Sequence, residues 1–106
     1  MKHEISKKLN ERPISFKPLY VDLTGSVTAG LYLSQLMYWF SKKDKFYKTD
    51  VDLATETRLT PKELVAAKKK IKLLPFLEIT REGIPSRTNY KIDWDLYEKA
   101  LEEVAL

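Results

Sequence analysis

Lys62, Lys68, Lys69, Lys70, Arg81, Arg87 and Lys91 lie within one short stretch, and residues 61 to 91 carry eight basic against three acidic side chains. Cations at that density hold a polyanion: each neutralised phosphate releases a condensed counterion, and arginine offers a planar fork to phosphate or to guanine. This is binding chemistry. The side chains for bond-making chemistry are scarce, since the chain has no cysteine and a single histidine, His3, in a polar stretch. That excludes a thiol nucleophile, a disulfide framework and a Cys/His metal site. Asp93, Asp95 and Glu98 could suggest a metal-dependent nuclease, but capping of a helix N-terminus explains them more simply. Gly25 and Gly30 have P-loop spacing, yet Leu31-Tyr32 stands where lysine and then serine or threonine would hold phosphate and magnesium. The expectation is a protein that is not an enzyme and takes no cofactor.

The cations need elements to aim them. Thr60-Pro61-Lys62-Glu63 joins a capping residue, proline at the first helical position and Glu three residues after the cap. It predicts a helix from Pro61 to about Lys72, stopped before Pro75. At 100° per residue Leu64, Ala67, Ile71 and Leu74 share one face, which must be the core side. Lys62, Ala66 and Lys69 stand opposite, flanked by Val65 and Lys70. A small residue at 66 lets the axis approach a groove floor while the lysines reach phosphates and base edges. Alone, such a helix reads more simply as a solvated surface. The element after it reverses that reading: Leu77 to Arg81 and Thr88 to Ile92 alternate with period two around Gly83-Ile84-Pro85-Ser86, predicting a β-hairpin that carries Arg81, Arg87 and Lys91. Arg87 is expected to face the neighbourhood of Arg81, two like charges that an anion would reconcile, unless Glu78 or Glu82 neutralises them.

The remaining elements fall around this pair. Residues 1–17 read as a basic N-terminal arm, and 18–106 as one domain. Leu19 to Leu23 alternates weakly before the turn signal Thr24-Gly25-Ser26. Ser26 caps a helix over Val27 to Ser41 that is apolar on more than one face and therefore central; Gly30 inside it makes sense if another backbone packs closely there. Phe46-Tyr47-Lys48 is a short strand, and Thr49 caps a short helix ending near Thr57. Tyr38, Trp39, Phe40, Phe46 and Tyr47 could be a stacking platform for single strands, but core packing is the simpler account. Asp93 or Asp95 caps a last helix whose Leu96, Tyr97, Leu101 and Val104 repeat at helical spacing. Residues 93 to 106 hold five acidic side chains and one basic one, so positive charge is segregated from an acidic tail. No apolar stretch approaches the roughly 20 residues of a membrane span, and no secretory segment stands at the N-terminus, so an intracellular, cytoplasmic protein is expected.

The order helix, short strand, helix, tight turn, capped helix, hairpin, helix is that of an α+β winged helix-turn-helix, mostly helical with a small hairpin wing. Gly25-Ser26, Leu33 to Trp39, Phe46-Tyr47-Lys48-Thr49, Leu59 to Leu64, Ala67 to Ile71 and above all Gly83-Ile84-Pro85-Ser86-Arg87-Thr88-Asn89-Tyr90-Lys91-Ile92 resemble the winged-helix DNA-binding domains of phage and plasmid replication initiator proteins. The resemblance spans about residues 19 to 97. It implies that the helix from Pro61 is the recognition helix, that the hairpin around Arg87 lies along the DNA backbone, and that the partners are double-stranded DNA and replication proteins, in replication initiation or transcription regulation of a mobile element. Thr60, Lys62, Ala66, Lys69, Lys70, Arg81, Arg87, Asn89 and Lys91 are the expected DNA-contacting residues. Such domains often carry glycine after the recognition helix; Leu74-Pro75-Phe76 stands here instead, so a different helix exit is expected. Trp94, Leu96, Tyr97 and Leu101 would suit a homodimer reading two half-sites. The rival function is a protein-interaction module, with the acidic tail or the Leu73 edge as its contact surface.

Overall fold

Cap chemistry sets where each helix begins and ends in the computed structural model, which describes residues 16–83 and 87–105. Helix α1 (Pro18–Thr24) has proline at its start and ends on Gly25, whose φ of 75° puts it in the left-handed region. The Gly25 N–H donates to the Val21 carbonyl, a closure that glycine makes without steric cost. The sequence's weak alternation here is thus a helix. Leu19, Val21 and Leu23 alternate as in a strand, whereas Tyr20 and Leu23, three apart, share one helical face, and Tyr20 is the buried residue.

Helix α2 (Val27–Phe40) starts where predicted: the Ser26 hydroxyl accepts from the Ala29 N–H. It is the central element, with Tyr32, Leu33, Leu36, Phe40 and the polar Ser34 and Gln35 all buried. Gly30 does what the sequence suggested. A Cβ there would lie 3.0 Å from Val21 Cγ2 and 3.1 Å from the Val21 backbone nitrogen, so α1 crosses α2 at a distance only glycine accommodates comfortably.

Strand β1 (Lys45–Lys48) leads into helix α3 (Asp50–Thr57), capped by Thr49, whose hydroxyl accepts from the Asp52 N–H. Arg58 then turns the chain with φ 65°, and helix α4 (Pro61–Ile71) begins with the predicted capping box complete: the Thr60 hydroxyl accepts from the Glu63 N–H while the Glu63 carboxylate accepts from the Thr60 N–H. After α4 the chain leaves without a left-handed residue. Lys72 stays right-handed, the Leu73 and Leu74 N–H groups bond back to Lys70 and Ile71, and Leu74 and Phe76 are buried. The helix exit therefore rests on burying those two side chains and not on a glycine turn, the different exit expected of Leu74-Pro75-Phe76.

Strands β2 (Leu77–Glu82) and β3 (Arg87–Ile92) form the expected hairpin; its Ile84-Pro85-Ser86 turn lies outside the described residues, as do residues 1–15 of the N-terminal arm. The hairpin gains a partner. β1 pairs antiparallel with β3, giving a three-stranded sheet of order β1-β3-β2. Helix α5 (Trp94–Ala105) closes the order, with the Asp93 carboxylate accepting from the Leu96 N–H, the capping role expected of it.

The core lies between the helices and one sheet face. Tyr32 and Tyr90, both fully buried, join hydroxyls across α2 and β3, and Tyr20 and Tyr97 do so at 2.6 Å across α1 and α5. Burial pushes the Tyr20, Tyr32 and Tyr90 phenols well above their ordinary value. Tyr97 is therefore an intramolecular core residue, which corrects the stripe proposed for dimerisation: Leu101 also packs against the core, and only Trp94 and Leu96 stay exposed. Helical spacing shows that a face is apolar, not which neighbour covers it. The described residues form an α+β structure of five helices and one antiparallel sheet.

Candidate nucleic acid interface

Leu64, Ala67, Ile71 and Leu74 are buried, as the helical wheel requires, so the opposite side of α4 is turned to solvent. Lys62, Val65, Ala66, Lys69 and Lys70 are all exposed. Lys68 is different. Its ammonium is ion-paired to Asp50 in the first turn of α3, the only ion pair of an α4 lysine among the described residues. Thr60 sits at the helix entrance with its hydroxyl lone pair and backbone N–H both committed to Glu63; the backbone N–H of Thr60 and then its hydroxyl hold the exposed Glu63 carboxyl below its usual range.

Sequence reasoning passed over Arg58. It is exposed in the turn that joins α3 to α4, and its left-handed backbone is unusual for a residue with a Cβ, costing roughly 1 kcal/mol. The position resembles a glycine site occupied by a cation, and no sequence signal distinguishes it from an ordinary turn arginine.

The hairpin residues divide between two faces. Glu82 pairs with Arg87, Arg81 with Thr88, Thr80 with Asn89 and Glu78 with Lys91. Because side chains alternate along a strand, Arg81 shares the face of Thr88, Tyr90 and Ile92, on which the helices pack. Arg87, Asn89 and Lys91 share the other. The expected approach of Arg87 to Arg81 is therefore wrong by one residue of register: an acidic residue, Glu82, stands opposite Arg87, and the two arginines leave the sheet on opposite sides. The outward face also carries Lys45 and Tyr47 from β1, with Lys45 in register with Lys91 and Tyr47 with Asn89. The Arg87 guanidinium lies 4.8 Å from the Tyr47 ring centroid. Asn89, in the middle strand between Tyr47 and Thr80, is only 9% exposed.

The aromatic cluster is split in the same way. Phe40 is buried and Phe46 stacks on Tyr90 with centroids 5.4 Å apart, whereas Tyr38 and Tyr47 are exposed. Core packing accounts for the first two and not for the last two. Trp39 belongs to a polar knot that sequence reasoning also missed. Glu56 on α3 accepts from Gln35, from Trp39 Nε1 at 2.7 Å and from Lys48 Nζ at 2.8 Å, and the Lys48 ammonium sits 3.8 Å from the Trp39 ring centroid. Burial alone would raise the Glu56 carboxyl; the three donors overcome it and hold the group below its usual range. This knot ties α2, β1 and α3 together and neutralises Lys48, which removes that lysine from the free cations. Its members are separated by up to 21 positions and share no periodic signature.

The nine residues expected to touch DNA thus form two sets. Thr60, Lys62, Ala66, Lys69 and Lys70 line the exposed side of α4; Arg87, Asn89 and Lys91 lie on the outward sheet face, with Arg81 on the helix side of the same hairpin. Among the described residues no group of three or more His, Cys, Asp or Glu side chains is placed to hold a metal ion, and no helix is long and apolar enough to cross a membrane. Compared with known proteins, the chain matches no family model, no curated protein and no solved structure.

Proposed function

We propose that the chain binds duplex DNA as a winged helix-turn-helix protein, with α3 and α4 as the helix-turn-helix, α4 in the major groove and the β2–β3 hairpin as the wing. The observation that carries this reading is the exposed side of α4: Ala66 lies between Lys62, Lys69 and Lys70, all solvent-facing, while Lys68 alone is drawn into an ion pair. A small residue flanked by cations suits close approach to a groove floor between two phosphate rows. Arg58 at the helix entrance and Arg81 on the helix side of the hairpin supply further phosphate contacts. The resemblance to replication initiator domains supports a role in replication initiation or transcription regulation of a mobile element, in the cytoplasm, with replication proteins as further partners.

A titration of duplex binding against salt tests it. The logarithm of affinity falls linearly with the logarithm of salt concentration, by about 0.9 per neutralised phosphate; absent or salt-independent binding contradicts it. One feature favours the protein-interaction reading instead. A groove of about 490 Å³ between α1, the end of α4 and α5 is lined by Leu23, Leu73, Leu74, Ala100 and Val104, with Leu73 83% exposed. A folded protein that ignores DNA at low salt would move attention there.

A further inference from the structure

The outward face of the sheet extends past the wing onto β1, where an exposed aromatic and a lysine lie outside the duplex-contacting set. Tyr47, a large aromatic on an exposed strand position, is 57% exposed, and the Arg87 guanidinium stacks over it. Lys45 and Lys91 are directly opposite in the β1–β3 register. Like charges in that arrangement destabilise a sheet, and Glu78, on the far side of Lys91, can offset only one of them. The charge is also graded across the face: Lys45, Lys91 and Arg87 occupy β1 and β3, while Glu78 and Glu82 border it on β2.

We infer that this face binds single-stranded polynucleotide, with a base stacked on the Tyr47–Arg87 platform and the backbone running over Lys45 and Lys91. A flat aromatic surface on an open sheet suits the π-face of a base, which a duplex hides and a single strand offers. The lysine row is one pleat repeat from the Tyr47 row, about 7 Å away, so stacking and phosphate contacts are available to neighbouring nucleotides. The acidic β2 edge confines the strand to the β1–β3 half. Tyr47 and Lys45 on β1 lie outside both α4 and the β2–β3 wing, so the single-strand site and the duplex reading can fail separately.

Fluorescence anisotropy with short labelled oligodeoxythymidylate and oligouridylate tests it, with a labelled duplex measured in parallel and folding checked by circular dichroism. Wild-type protein binds at least one single strand with salt-dependent affinity, and the tighter of the two identifies DNA or RNA as the natural form. Tyr47→Ala weakens that binding about tenfold or more while sparing the duplex, Tyr47→Phe retains it because the ring is kept, and Arg87→Ala weakens it. Ala66→Glu leaves it unchanged. No single-strand binding by the folded protein, wild-type affinity in Tyr47→Ala, or parallel loss of both ligands in Ala66→Glu would overturn the proposal, the last by showing a single shared site.

Discussion

The Lys68 ammonium on α4 is held by the Asp50 carboxylate in the first turn of α3, so one member of the Lys68-Lys69-Lys70 run braces the two helices instead of facing outward. The neighbouring lysines are therefore not equivalent. Lys69→Ala is expected to reduce the salt slope of duplex binding by about one, as loss of a phosphate contact does, while Lys68→Ala leaves the slope near wild type. Lys68→Ala costs less than about 1 kcal/mol of stability, because the pair is largely solvent-accessible on its Asp50 side. Equal loss of slope in both variants would place Lys68 on the DNA instead.

Arg58 supplies a variant in which stability and binding move in opposite directions. Its φ of 65° favours glycine, so Arg58→Gly should stabilise the fold by up to about 1 kcal/mol in urea denaturation. If the side chain touches phosphate, the same variant binds duplex more weakly and with a shallower salt slope. A stabilised protein with wild-type affinity would reduce Arg58 to a turn residue.

The Glu56 knot gives the pH dependence a sign. A carboxyl held below its usual range in the folded state stabilises the fold above the unfolded value, about 4.3, and loses that contribution as pH falls through the folded value. Glu56→Gln should be less stable than wild type at pH 7 by about 1 to 3 kcal/mol. The gap should narrow by pH 3. Denaturant midpoints for both proteins at the two pH values decide it, and an equal gap at both would show that the charge on Glu56 contributes nothing.

Local chemistry made much of the fold legible. Ser26, Thr49, Thr60, Glu63 and Asp93 act through hydrogen bonds spanning three residues, so their roles can be read from neighbouring letters. Gly30 was legible because a glycine in an apolar helix needs a close neighbour to explain it, and Val21 provides one. Helix α1 was obscured by its length, since seven residues barely complete two turns. The pairing of β1 with β3 and the Glu56 knot depend on residues far apart in sequence. The candidate site was legible on α4, where period and exposure coincide, and misjudged on the hairpin. There a one-residue difference in register sends Arg81 and Arg87 to opposite faces, and pattern alone does not fix register through a loop of uncertain length.

The central claim rests on Ala66 facing the floor of a DNA groove. Glutamate at this exposed helical position is a good helix former, so Ala66→Glu should unfold at the wild-type temperature while its bulk and charge abolish duplex binding. Wild-type duplex affinity in a fully folded Ala66→Glu protein, measured at low salt where binding is strongest, would show that α4 does not enter the groove.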